Sequence, residues 1–131
     1  MDSKTYLKEV LRTESIDFPA IKERLNHEGT LRLLHAGIGL ATETGEFLDS
    51  IKKEIFYGKE PDWTNLMEEL GDLHWYIAVA QDALGITTEE IYDMNIKKLK
   101  SRYPGKFTKE NALNRNLKEE RKILESRQND H

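Results

Sequence analysis

A chain of 131 residues, 37% hydrophobic and 34% charged, suits one domain with a modest core, and is polar enough that part of it should be a solvated tail or a subunit contact. Its formal charge of -4 offers no general attraction for nucleic-acid phosphates, and the absence of cysteine excludes a disulfide frame, a thiolate nucleophile and cysteine-ligated zinc or iron–sulfur centres. No apolar run approaches the roughly 18–20 residues of a membrane span, and Met1-Asp2-Ser3-Lys4 opens no secretory signal. The expectation is a soluble cytoplasmic protein with neither membrane nor nucleic acid as a partner.

Apolar spacing is helical almost throughout, and β-branched alternation is nearly absent, so the predicted fold is all-α. Residues 4–26 predict one or two short helices, interrupted near Ser15-Ile16-Asp17-Phe18-Pro19, where Pro19 suits the first turn of the second. Residues 30–57 predict one long helix, ended by Gly58, with Pro61-Asp62 opening the next. Residues 63–84 form the third segment, stopping at Gly85. Its Leu66, Leu70, Leu73, Ile77, Ala80 and Leu84 step by three and four, one stripe facing a core. A fourth helix starts at Thr87, where Thr87 and Glu90 have capping-box spacing, and stops before Pro104-Gly105. From Lys106 on, Lys, Glu, Asn and Arg dominate. The sparse apolar residues there predict a frayed tail or a contact with another subunit.

Two short patterns carry chemistry. In Glu43-Thr44-Gly45-Glu46 and in Glu69-Leu70-Gly71-Asp72, two carboxylates stand three apart on a helix and share a face. A short connection makes the two helices antiparallel neighbours, which gathers four negative charges. A divalent cation is the simplest offset. Ligands that are all oxygen suit magnesium or manganese. A di-iron bundle would need Glu-x-x-His pairs, and His74 stands at the wrong spacing from Glu69 and Asp72. Gly45 and Gly71 each cost the helix about 1 kcal/mol relative to alanine, a cost that a close approach of backbone, metal or ligand would explain. At roughly 100° per residue, Glu69, Asp72 and Tyr76 lie beside the apolar stripe, and His35, Gly39, Glu46 and Lys53 align on the second helix, flanked by Glu43 and Asp49. Trp75 points away from this strip, toward core or subunit packing.

These residues resemble a known family, the MazG-like all-α nucleotide pyrophosphohydrolases. The resemblance covers about residues 30–107 in three ordered blocks: Gly39-Leu40-x-x-Glu43-x-Gly45-Glu46, Glu69-Leu70-Gly71-Asp72-x-x-Trp75-Tyr76 and Asn95-x-x-Lys98-Leu99-x-x-Arg102-Tyr103-Pro104. It implies a four-helix-bundle core with short N-terminal helices and a charged C-terminal tail. The corresponding domains are residues 1–107, one all-α domain, and residues 108–131, a charged helix or tail. It further implies a magnesium-dependent cut between the α and β phosphates of a nucleoside triphosphate, giving a monophosphate and pyrophosphate. Glu43, Glu46, Glu69 and Asp72 would be the metal-binding and catalytic residues. Lys53, Tyr76, Asn95, Lys98, Arg102 and His35 would contact substrate, and the protein would be a homodimer or homotetramer. The rival reading is a non-catalytic helical interaction module whose acids are only a charged surface or a structural cation site; a related pyrophosphohydrolase acting on another phosphoanhydride is a third.

Overall fold

The structure, a computed structural model, describes residues 1–126. The described residues form helices and no strand, and they group into two compact units divided between Ala83 and Leu84.

The first unit opens with α1 (Ser3–Leu11), capped by the Asp2 carboxylate, which accepts from the Thr5 N–H at 2.9 Å. Helix α2 (Phe18–Leu25) follows, capped by Asp17 and started by Pro19, and it packs on α3. Helix α3 (Glu28–Tyr57) is the long central element. It ends where Gly58 turns left-handed (φ 63°) and the Lys59 N–H reaches back to the Lys53 carbonyl at 3.2 Å, the Schellman arrangement that glycine favours at this position. Asp62 accepts from the Asn65 N–H at the start of α4 (Trp63–Leu84), and Gly85 (φ 60°) follows its last turn.

Helices α3 and α4 run antiparallel. Arg32 pairs with Asp82, the ring of Tyr76 lies over Gly39, and Asn65 donates to Ser50. Numbers rise along α3 as they fall along α4, so the contacts fix both direction and register. The helices meet through side chains and leave much of their apolar surface uncovered. Ala36, at 1% exposure, is the buried hydrophobic side chain among the described residues. The stripe expected to face a core does so only in part: Leu66, Leu73 and Ala80 are half-buried, whereas Leu70, Ile77 and Leu84 are exposed. Two long helices side by side cover one face of each other, and periodicity alone does not say what covers the remainder.

The second unit holds α5 (Thr88–Arg102), α6 (Lys109–Leu113) and α7 (Leu117–Glu125). The expected capping box is present: Thr87 Oγ1 accepts from the Glu90 N–H at 3.2 Å, and the Glu90 carboxylate accepts from the Thr87 N–H at 2.7 Å. Where the sequence predicts a frayed tail or a subunit contact, α7 packs on α5 of its own chain. The reason is ionic rather than apolar. Glu120, 4% exposed, receives Arg102 through Nε (2.9 Å) and Nη2 (2.6 Å) and Arg115 through Nη2 (2.7 Å). A count of apolar residues cannot register such a clasp. Residues 127–131 of the expected tail lie outside the described residues.

The Arg102 guanidinium, with Arg115 beside it, holds the Glu120 carboxyl at about 2, below its ordinary 4.5. A carboxyl whose pKa is lower folded than unfolded stabilises the fold above its unfolded value and loses that contribution as pH falls toward its folded one. Glu120→Gln leaves two arginines facing a neutral amide. We expect it to lower the thermal midpoint at pH 7 by at least roughly 5 °C and to flatten the acid limb of stability between pH 4.5 and about 2. Circular dichroism melts across that range check both.

Candidate metal centre

The register of α3 against α4 sets the carboxylates of the two helices opposite one another. One oxygen from each of Glu43, Glu69 and Asp72 lies within 4.8 Å of the other two. Opposed ligands in an octahedral magnesium shell are about 4.2 Å apart, so the three oxygens already stand near the span of such a shell. Glu69 is buried (5% exposed), Glu43 half-buried and Asp72 exposed, which leaves the cluster open on one side. Burial pushes the Glu69 carboxyl above its ordinary value, and the charges of Glu46 and then Glu43 push it further, against the hydrogen bond from Asn65. A cation would reverse the sign of that environment. The donors are hard, anionic and convergent, and they fit magnesium or manganese.

Glu46 stands outside this group of three. It is exposed and lines a cleft of about 430 Å³ with Thr42, Gly45, Asp49, Ser50, Lys53, Asn65 and Glu69. That volume is within the ordinary range for small-molecule sites. Lys53 lines the same cleft, with its ammonium on Asp49 at 2.6 Å. Lys52 also pairs with Asp49, and the two hold that carboxyl at about 2. Sequence reasoning missed Asn65 and Ser50. Asn65 Nδ2 donates to Glu69 Oε1 at 2.9 Å and to Ser50 Oγ at 3.2 Å. The available signal was spacing: Asn65 stands one turn before Glu69, on the same face.

His35 and Tyr76 come together, rings edge to face at 5.6 Å, with Trp75 against Tyr76 at 4.9 Å. Trp75 is 55% exposed and meets both rings edge-on. Asn95, Lys98 and Arg102 lie along α5 in the second unit, with Asn95 exposed and Lys98 half-buried. The Arg102 guanidinium is engaged by Glu120.

Carboxylates converging from two antiparallel helices, beside a polar cleft, define an all-α protein with a site suited to a hard cation. The model of the MazG nucleotide pyrophosphohydrolase domain matches residues 34–107, which span all four acids and the α5 block. The chain belongs to this family, whose activity is hydrolysis of nucleotide phosphoanhydrides. No curated protein and no solved structure matches the chain. Among the described residues, no helix is long and apolar enough to cross a membrane.

Of the glycines near the site, Gly39 is the one that a neighbour requires. A Cβ built there would lie 2.1 Å from Cε1 of the Tyr76 ring, whereas one on Gly45 or Gly71 would meet, among the described residues and beyond its own helix backbone and chain neighbours, nothing within 4 Å. The helix penalty at Gly45 and Gly71 therefore has no steric cause among the described residues. Gly45→Ala should raise unfolding stability by about 0.5–1 kcal/mol, the ordinary helix gain. Gly39→Ala should lower it despite the same gain, because the Tyr76 ring must move. Denaturant titration of the two variants measures the difference, and equal stabilisation would refute the close approach.

Proposed function

We propose that the protein is a magnesium-dependent nucleoside triphosphate pyrophosphohydrolase, with manganese as an alternative ion. It cuts the α–β phosphoanhydride of ribo- or deoxyribonucleoside triphosphates to a monophosphate and pyrophosphate. The observation that carries the reading is the convergence of oxygens from Glu43, buried Glu69 and Asp72 to within 4.8 Å of one another, in a chain that belongs to the MazG family. Glu43, Glu69 and Asp72 would hold the cation, with Glu46 beside them. When bound, the ion would neutralise charge on the phosphate chain. Glu46, outside the three and facing the cleft, is the carboxylate we assign to orient the attacking water and take its proton. The water oxygen bonds to phosphorus, the anhydride P–O bond breaks, and its electron pair leaves on pyrophosphate. Positioning and electrostatics supply most of the rate.

Lys53, which lines the cleft, is proposed as a phosphate contact, and Tyr76 with His35 as contacts to the remainder of the nucleotide. Asn95 and Lys98 are assigned to substrate on the family resemblance. Arg102 is assigned on the same resemblance, its Nε and Nη2 being engaged by Glu120. Residues 1–107 would form the catalytic domain, which the end of the family match at residue 107 supports, with residues 108–131 appended.

The test is metal removal and add-back with product analysis. Activity should vanish on chelation, return with magnesium or manganese, and yield monophosphate and intact pyrophosphate on chromatography. Glu46→Gln and Asp72→Asn should each lower turnover by at least about 100-fold. They should remain folded, since removing a like charge from a helix pair relieves repulsion. A diphosphate product would refute the α–β assignment. Parent rates in both variants would refute the site and favour an interaction module.

The exposed Ile38, Leu48, Phe56, Trp63 and Met67 on α3 and α4 support a homodimer or a pair of dimers that completes a four-helix core. Light scattering should give two or four times the mass of one chain; a monomer at micromolar concentration would exclude it.

A further inference from the structure

We propose that Asn65 is the positioning residue of the metal centre, fixing the Glu69 carboxylate through a link anchored on Ser50. This rests on the reading of Glu43, Glu69 and Asp72 as cation ligands and deepens it.

A carboxylate that serves as a ligand must be held in one rotamer, or part of the binding free energy goes into ordering it. Exposed Asp72 and half-buried Glu43 have water to solvate whichever rotamer they take. Glu69 has little, at 5% exposure, and faces the negative charges of Glu46 and Glu43. Left to itself, such a group swings away from the other acids. Asn65 opposes this. Its Nδ2 gives a 2.9 Å hydrogen bond to Glu69 Oε1, which holds the carboxylate in place and leaves Oε2 for another partner.

The amide is itself fixed. Its nitrogen carries two hydrogens, and the second serves Ser50 Oγ on α3 at 3.2 Å. Flipping the amide would turn Oδ1 toward the Glu69 carboxylate, acceptor against acceptor, and lose the bond to the ligand. The link Ser50–Asn65–Glu69 therefore crosses from α3 to α4 and ends on the ligand. It ties the carboxylate's orientation to the spacing of the two helices that carry the other acids. Ser50 and Asn65 both line the cleft beside Glu46, so the link also forms part of its wall. Groups that hydrogen-bond to metal ligands commonly contribute 10–100-fold to metal affinity.

The experiment uses Asn65→Leu, close in size and unable to donate, and Ser50→Ala, which removes only the anchor. Manganese binding is measured by electron paramagnetic resonance without nucleotide, and folding by thermal melting of the metal-free protein. The proposal expects Asn65→Leu to bind manganese at least about 10-fold more weakly and Ser50→Ala to show a smaller loss. Both should melt cooperatively, and excess manganese should restore much of the lost kcat. Parent-like manganese affinity in a folded Asn65→Leu protein overturns the positioning role and leaves the metal reading intact. Absence of manganese binding by the parent overturns the metal reading, and this proposal with it. If Asn65→Leu fails to fold, Ser50→Ala decides alone: unchanged affinity overturns the proposal, and weakened affinity supports it.

Discussion

Bringing oxygens of Glu43, Glu69 and Asp72 to within 4.8 Å sets like charges against one another where water is scarce around Glu69. Repulsion of that kind pushes two helices apart or protonates one of the acids unless something holds the geometry. The contacts between α3 and α4 are distributed accordingly. Arg32 with Asp82 ties one end of the pair, the Tyr76 ring on Gly39 sets a close approach, and Asn65 with Ser50 ties the other side of the acids. The cluster lies between these ties. Its charges are confined by neutral packing and hydrogen bonds, and among the described contacts no arginine or lysine pairs with Glu43, Glu69 or Asp72.

The two buried glutamates make the point by contrast. Glu69 and Glu120 are both at or below 5% exposure, so both lose hydration. Glu120 meets two arginine forks and is driven down to about 2. Glu69 meets one amide and two acids and is driven up. Burial is the same in kind, and the partners decide the sign. A carboxylate with its charge fully matched is structural. One left short of positive charge opposes folding more as pH rises through its folded-state value, and a cation removes that opposition. The same linkage would make binding of a cation a stabilising event for this pair of helices.

Much of this was legible in the sequence because it is local. Asp17 before Pro19, Gly58, Gly85 and the Thr87/Glu90 box mark their helix ends by backbone chemistry that depends on a few neighbours, and each end lies where expected. The facing of Glu43 against Glu69 and Asp72 followed from two helices and a short connection. The Asn65 link did not, since an asparagine one turn before an acid is common and its second partner lies on another helix. Nor did the Glu120 clasp, whose residues are separated by a turn and two helix starts. Composition marks that stretch as tail because it counts apolar residues, and the force that docks α7 on α5 is ionic.

The uncovered apolar surface and the acidic cluster belong to the same two helices, and that shared placement bears on how the site keeps its shape. Within one chain α3 and α4 touch mainly through side chains, with Ala36 and Gly39 the buried small residues of α3. Such a pair is held by few apolar contacts, so its spacing would yield readily to the repulsion it carries. Covering Ile38, Leu48, Trp63 and Met67 with a further helical layer would add apolar burial worth roughly 1.5–3 kcal/mol for each fully buried large side chain. That gain acts on the backs of the helices that hold the acids, and it stiffens them without placing any group in the cleft. On this view the proposed assembly and the proposed chemistry are one requirement: the three clustered acids would stay convergent on helices pressed together from outside.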